Sequence, residues 1–380
     1  MRLFFSFFFV ILFGGLIYVL WHVWTVLPLQ KPVKTGVIVL MVLCFLMMFL
    51  NFWGVLDRLP LGVASIVYDI GWSSLIVLLY LTLTFLVLDL GRLVRLVPKS
   101  WLHANTVTSI AILVLMLGVF IYGNIHYHHK YRENITLITN KPLDGKKRIV
   151  LVSDLHLGYH NRRAELDRWI DLINAEKPDL VLIAGDIVDM SMRPLTEEQM
   201  AQSFHRFTAP VYACLGNHEY FSRSPGVQKF YEEAGIHLLR DTAIVVGDLC
   251  LVGRDDRSNW NRKSLADIMP GADTTRYTIL IDHQPYHLEE AEQCGIDFQF
   301  SGHTHYGQVW PISWITRATY ECAFGPWQRG NTRYYITSGI GIWGGKYRIG
   351  TRSEYVVCEI APVSSLSDGR GSKEEIVDTY

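Results

Sequence analysis

An α/β domain carried behind a four-helix transmembrane region is the fold class that three features of the sequence predict. The 380-residue chain is charged at only 19% of its positions, against about a quarter in soluble proteins. The shortfall is confined to one end: residues 1–125 hold ten charged side chains and the remaining 255 hold 61. Beyond that apolar end, short apolar runs of strand length alternate with segments of helical periodicity. The two bodies carry formal charges of +4 and −5, summing to −1. This pattern excludes a single soluble domain, a disordered chain and a disulfide-dense miniprotein. It offers no basic excess for nucleic acid.

Four apolar stretches are long enough for the ~20 residues that a bilayer crossing takes. They are Leu3–Leu27, Gly36–Leu56, Trp72–Leu88 and Asn105–Ile125. The first reads as a retained helix and not as a signal peptide. Its only leading charge is Arg2, its apolar run is long, and no small-x-small cleavage pattern follows. Four spans place the N-terminus and the C-terminal domain on one side. The opposite loops carry Lys31, Lys34, Arg92, Arg95 and Lys99, against Arg2, Arg58, Lys130 and Arg132 on the near side, or Arg2 and Arg58 alone once the segment attached to the large domain is discounted. That bias puts the basic loops in the cytoplasm, so the expectation is a multi-pass protein of the cell membrane with an extracytoplasmic domain. Asp89 and Arg92, three apart at a span end, either pair or face the interface. No charged relay runs through the spans, so an anchor is expected rather than a transporter.

The expected organisation is a transmembrane region over 1–125, a connector over 126–147, an α/β domain over 148–362 and a disordered tail over 363–380. The connector's His126, His128 and His129 read as a solvated collar. Strands are expected at Ile149–Val152, Leu180–Ile183, Val211–Leu215, Ile279–Ile281, 298–300 and Tyr334–Thr337. Helices are expected over Arg162–Glu176, with Leu166, Trp169, Ile170 and Ile173 on one face, and over Tyr286–Gln293. The six cysteines match no zinc spacing and no complete disulfide framework.

Five of these strands end in metal-type ligands. The endings are Ser-Asp154-Leu-His156, Gly-Asp186-Ile-Val-Asp189, Gly-Asn217-His218-Glu219, Asp282-His283-Gln-Pro and Ser-Gly-His303-Thr-His305. In open α/β sheets ligands bind beyond the carboxyl ends of strands, so five such ends converge on one place. Each piece alone is weak, since a lone buried His is usually a core residue. The ordered set is specific. A mixed oxygen and imidazole donor set suits Mn²⁺, Fe or Zn²⁺ better than Mg²⁺ or Ca²⁺.

These blocks resemble the calcineurin-like metallophosphoesterase superfamily over about residues 148–310. The match is closest to its membrane-attached branch, which reads His-Gln-Pro and Ser-Gly-His-Thr-His at the last two blocks. The segment Gly-Ile-Gly-Ile-Trp343 … Arg348-Ile-Gly-Thr is similar to that branch's C-terminal loop. One departure is Tyr306, where the branch usually has Gly. The resemblance implies a metallophosphoesterase-type β-sandwich flanked by helices and two divalent metal ions. Asp154, His156 and His305 would hold the first ion, Asn217, His283 and His303 the second, and Asp186 would bridge. His218 would be the catalytic residue, protonating the leaving group or stabilising phosphoryl charge. Asp189 would orient a ligand, and Glu219 either does the same or simply starts a helix.

The function expected is hydrolysis of a phosphate ester or pyrophosphate, with Mn²⁺ the favoured metal. The substrate would be a phosphate-containing small molecule or a lipid-linked phosphate, on the pattern of UDP-2,3-diacylglucosamine. Trp310, Trp314, Trp327 and Trp343, after the fifth block, either line a cleft or pack a subdomain. Two other readings compete: a catalytically silent scaffold, and the regulatory domain of a four-span membrane protein. A degenerate member should have lost ligands, and this chain keeps all seven and His218.

Overall fold

The computed structural model describes residues 2–363, with side chains from residue 10 onward. The expected tail lies outside the described residues. The chain divides into two compact units, 1–128 with 343–349, and 129–342 with 350–380.

The first unit holds four helices: α1 (Arg2–Val26), α2 (Lys31–Phe52), α3 (Leu61–Leu93) and α4 (Thr106–His128). Three of them, α2 to α4, are long and apolar enough to cross a membrane. α3 is longer than the apolar run that announced it. It starts after Pro60, and its polar first half is accommodated because Ser65, Tyr68 and Trp72 are buried against its neighbours. α3 packs tightly on α2 at Gly71, where an added Cβ would lie 2.5 Å from the Met48 backbone nitrogen. Small residues permit such close approach between apolar helices. Asp89, for which a pair with Arg92 and an interfacial position were both open, makes contacts across to α1. Its Oδ2 accepts from the Tyr18 hydroxyl at 2.7 Å and lies 2.9 Å from His22 Nε2, tying α3 to α1.

The segment 343–349 returns to these helices from far along the chain. Trp343 meets Trp72 edge-on with centroids 5.0 Å apart, and Tyr347 meets Phe120 in the same way at 5.0 Å. Hydrogen bonds secure it: the Asn124 side-chain amide donates to the Lys346 carbonyl at 3.0 Å, and the Arg348 backbone N–H donates to the Gly123 carbonyl at 2.9 Å.

The second unit is built on two six-stranded sheets. Its strands are β1 (Lys130–Thr139), β2 (Lys147–Val152), β3 (Leu180–Ala184), β4 (Val211–Cys214), β5 (His237–Leu238), β6 (Thr242–Val246), β7 (Leu249–Gly253), β8 (Tyr277–Ile281), β9 (Phe298–Ser301), β10 (Gly325–Arg329), β11 (Thr332–Ile336) and β12 (Ser353–Pro362). The sheet orders are β1-β12-β2-β3-β4-β5 and β10-β11-β9-β8-β7-β6. β2, β3, β4 and β5 run parallel, as do β7, β8, β9 and β11.

Alternation along the strands explains the layering, because successive side chains leave opposite faces of a strand. In β2, Ile149 and Leu151 join Leu251, Ile279 and Phe300 in the core between the sheets. Val150 and Val152 turn the other way, onto α5 (Arg163–Ala175) through Leu166, Trp169, Ile170 and Ile173. Both faces are buried, which is why these strands read as continuous apolar runs. The helix expected over 286–293 begins only at Glu289, because His287 adopts the left-handed conformation at φ 55°. Residues 130–139, in the segment read as a connector, form β1 in register with β12.

Phe300 is fully buried between the sheets. Phe300→Ala should cost about 3–5 kcal/mol, lowering the melting temperature of the full chain in detergent by roughly 10 °C. Val245→Ala, on the exposed side of β6, should leave it within about 1–2 °C.

Candidate metal centre

The carboxyl ends of β2, β3, β4, β8 and β9 deliver every expected site residue to one place. Asp154, His156 and His305 form one set of ligand atoms mutually within 4.8 Å, and Asp186, His283 and His303 form a second. Asn217 joins the second set, its Oδ1 3.1 Å from His283 Nε2. One atom touches both sets: Asp186 Oδ2 lies 3.6 Å from His156 Nε2 and 3.1 Å from His283 Nε2. The other oxygen of Asp186 accepts the backbone N–H of His218 at 2.8 Å.

The backbone is bent to achieve this. Asp154, His156, Asp186, His303 and His305 all have positive φ, between 45° and 70°. A non-glycine residue held there costs about 1–3 kcal/mol, so five together mark a site and not a set of ordinary turns. Two glycines make room. A Cβ on Gly216 would fall 2.2 Å from Asp186 Oδ1, and one on Gly302 would fall 2.0 Å from Ser153 Oγ.

The imidazoles are aimed by their far nitrogens. His283 Nδ1 lies 2.7 Å from the Ala184 carbonyl, which only an N–H can satisfy, so Nε2 is the nitrogen turned towards Asp186. Asp189 Oδ1 stands 3.5 Å from His156 Nδ1 and 3.0 Å from His218 Nδ1, so one carboxylate orients two rings. An acceptor behind a ligating imidazole fixes its tautomer and raises its basicity. Burial pushes His156 down to about 4, helped by the charge of His218. Burial raises Asp154 to about 6. Burial opposes charge on His218 too, yet Asp186 and Asp189 outweigh it and lift that imidazole to about 9.

Glu219 does more than start the helix Asn217–Phe221. It is buried, and its carboxylate accepts the N–H groups of Gly216 at 2.7 Å, Val188 at 2.9 Å and Asp186 at 3.1 Å. It therefore clamps the two turns that carry Asp186 and Asn217. Burial, with Asp186 nearby, raises its carboxyl to about 7.

A further layer escaped the sequence reading. β7 ends at this same edge, and the Arg254-Asp255-Asp256 that follows it is buried. Arg254 pairs with Asp282 at 3.4 Å and Glu290 at 2.6 Å, and Arg262 also pairs with Asp282 at 3.4 Å, bracing the residue before His283. The available signal was a sixth apolar run ending in charged residues. The four tryptophans do not gather: Trp310 and Trp314 pair at the surface, Trp327 lies tilted against Tyr334, and Trp343 belongs to the helical unit.

The edge of the sandwich thus carries two neighbouring sets of carboxylate and imidazole ligand atoms that could hold metal ions. Residues 147–307 match the family model for calcineurin-like phosphoesterases. It is similar to an uncharacterized metallophosphoesterase of Campylobacter jejuni, 28% identical over 255 residues, which span 65% of this chain and 68% of that protein. It is also similar to the transmembrane protein with metallophosphoesterase domain of Danio rerio, 30% identical over 226 residues, or 54% of this chain. The match spans about half, 51%, of that relative's length. Among solved structures, the Haemophilus influenzae NAD nucleotidase aligns over 50% of this chain and 44% of that one, at 15% identity and a TM-score of 0.33.

Glu219→Ala would leave three buried N–H groups without their acceptor. At about 1–3 kcal/mol per orphaned group, the melting temperature should fall by roughly 10 °C. Calorimetry on the full chain checks this, and Glu219→Gln should recover part of the loss.

Proposed function

We propose that this chain is a membrane-anchored phosphoesterase that hydrolyses a phosphate ester or pyrophosphate at two metal ions, with a lipid-linked phosphate as its natural substrate. The observation that carries the reading is the single Asp186 oxygen within reach of both imidazole sets. Asp154, His156 and His305 would hold one ion and Asn217, His283 and His303 the other, with Asp186 placed within reach of both. The donor chemistry fits. Mixed oxygen and imidazole ligands suit Mn²⁺ first, with Fe or Zn²⁺ as alternatives. Two carboxylates against two dications leave the site net positive, which suits an anionic substrate. Two such ions, when bound, polarise the phosphoryl group and supply a nucleophile at neutral pH.

The side chains do the rest. Asp189 occupies His218 Nδ1, so the proton available for transfer sits on Nε2. Oriented in this way by Asp189, His218 would donate that proton to the departing oxygen, the role of a general acid. Asp189 keeps the ring in place, and Glu219 holds the turns beneath it. The catalytic domain is taken as 148–362. α1 serves as a fourth span beside the three long apolar helices, and the loop charges favour an extracytoplasmic domain. Only His129 separates α4 from β1 in the chain, so the domain is tethered to the bilayer, which favours a lipid-linked substrate.

Elemental analysis of the metal-replete full chain should find two ions, and Asp186→Asn should lower occupancy of both positions together. One ion or none in the parent would overturn the reading. His218→Ala should retain both ions while turnover of 4-nitrophenyl phosphate falls by about 10²–10⁴-fold. Restoration of that variant by added Mn²⁺ would instead make His218 a ligand.

A further inference from the structure

The arginines on either side of β6 and β7 are not equivalent. Arg240 is paired with Asp255 at 2.7 Å, and Arg254 and Arg262 are locked onto Asp282. Arg257 differs. It is exposed, and among the described residues no carboxylate forms an ion pair with it. The adjacent Asp256 is turned inward, its oxygens taken by the Gln284 amide at 2.8 and 3.1 Å and by the Ser258 N–H at 2.8 Å. Arg257 is nevertheless held in place. Its guanidinium carbon sits 4.2 Å over the centroid of the Tyr286 ring.

That stack leads back to the metal ligands. The Tyr286 and Tyr320 rings are 4.9 Å apart and their hydroxyls are bonded at 3.1 Å. Tyr320 in turn lies 6.3 Å from the ring of His303, at 73°. Both tyrosines are only half-buried. Burial raises the Tyr320 phenol, and the charge of Arg257 opposes the rise, so the two feel each other directly. Arg257, Tyr286 and Tyr320 thus form a ladder running outward from His303.

A guanidinium engages a ring through its flat face. Its N–H donors form a fork that matches a phosphate, and no carboxylate among the described residues forms an ion pair with it. A fixed cation without a carboxylate, standing a short way from a phosphate-hydrolysing centre, has a role if the substrate carries a second negative group.

We propose that Arg257 binds a second phosphate of the substrate, distant from the one at the metal ions, with Tyr286 and Tyr320 flanking the linking portion. The substrate class is then an elongated molecule with two separated phosphoryl groups. This rests on the phosphoesterase reading above and narrows it, because a simple monoester would leave Arg257 idle.

The test uses non-hydrolysable probes on the full, Mn²⁺-loaded chain in detergent. Straight-chain alkane bisphosphonates, from propane to octane with the phosphonates at opposite ends, are compared by calorimetry with the matching monophosphonates. One chain length should bind about tenfold tighter than its monophosphonate, the worth of one charge-assisted contact. Arg257→Ala should abolish that gain, and Arg257→Lys should keep part of it. The inference is overturned if no length shows a gain, or if the gain survives in Arg257→Ala. Turnover of 4-nitrophenyl phosphate by the same preparation separates the two readings. Turnover without an Arg257-dependent gain removes only the second phosphate. A gain without turnover of any phosphoester removes only the hydrolase.

Discussion

Two carboxylates, Asp154 and Asp186, are buried side by side at the ends of adjacent parallel strands, and most of the surrounding architecture answers that constraint. Buried charge without compensation costs several kcal/mol per ion. Here four imidazoles converge on the pair, and backbone N–H groups take up further lone pairs: His303 donates to Asp154 and His218 to Asp186. The strained turns, the glycines at 216 and 302 and the clamp of Glu219 all serve to hold these acids where cations can meet them. The arrangement is costly as pure structure and sensible as a cation site.

The fold supplies the rigidity that such a site needs. β2 and β3 are buried on both faces, one in the core between the sheets and the other against helices. Their ends are cross-linked: the Asp154 N–H donates to the Gly185 carbonyl and the His156 N–H to the Asp186 carbonyl. A second brace comes from the loop after β11, where the N–H groups of Ile340 and Gly341 donate to the carbonyls of Ser153 and Asp154. The loop that the sequence likened to a branch-specific feature thus divides its work. Residues up to 342 support a ligand turn, and residues 343–349 belong to the helical unit.

What the sequence revealed and what it hid follow from how local each signal is. The five ligand-bearing strand ends were legible because each lies within a few residues of its own apolar run. The seven proposed ligands and His218 came from the resemblance that these blocks carry, and the rule that strand ends converge accounts for their meeting in one place. β1 was missed because its partner, β12, lies over two hundred residues away, and its alternation resembles a solvated connector. Segment 343–349 reads as loop because only tertiary contact with Trp72 and Phe120 gives it a place. The partnership of Asp89 with Tyr18 and His22 crosses between helices and has no helical spacing to announce it. Arg257 is the same case. Nothing in Arg-Asp-Asp-Arg says which arginine is spent on an ion pair and which is left standing on a tyrosine.

Electron paramagnetic resonance of the full chain loaded with Mn²⁺ tests most directly whether one Asp186 oxygen serves two ions. A carboxylate bridge holds such ions about 3.5–4 Å apart, and at that spacing their spins couple. The expected spectrum at two equivalents is therefore an exchange-coupled multiline signal, and Asp186→Asn should reduce it to uncoupled Mn²⁺. A six-line spectrum of isolated ions in the parent, with two Mn²⁺ bound per chain, would contradict a shared Asp186 and with it the two-metal chemistry built on that residue.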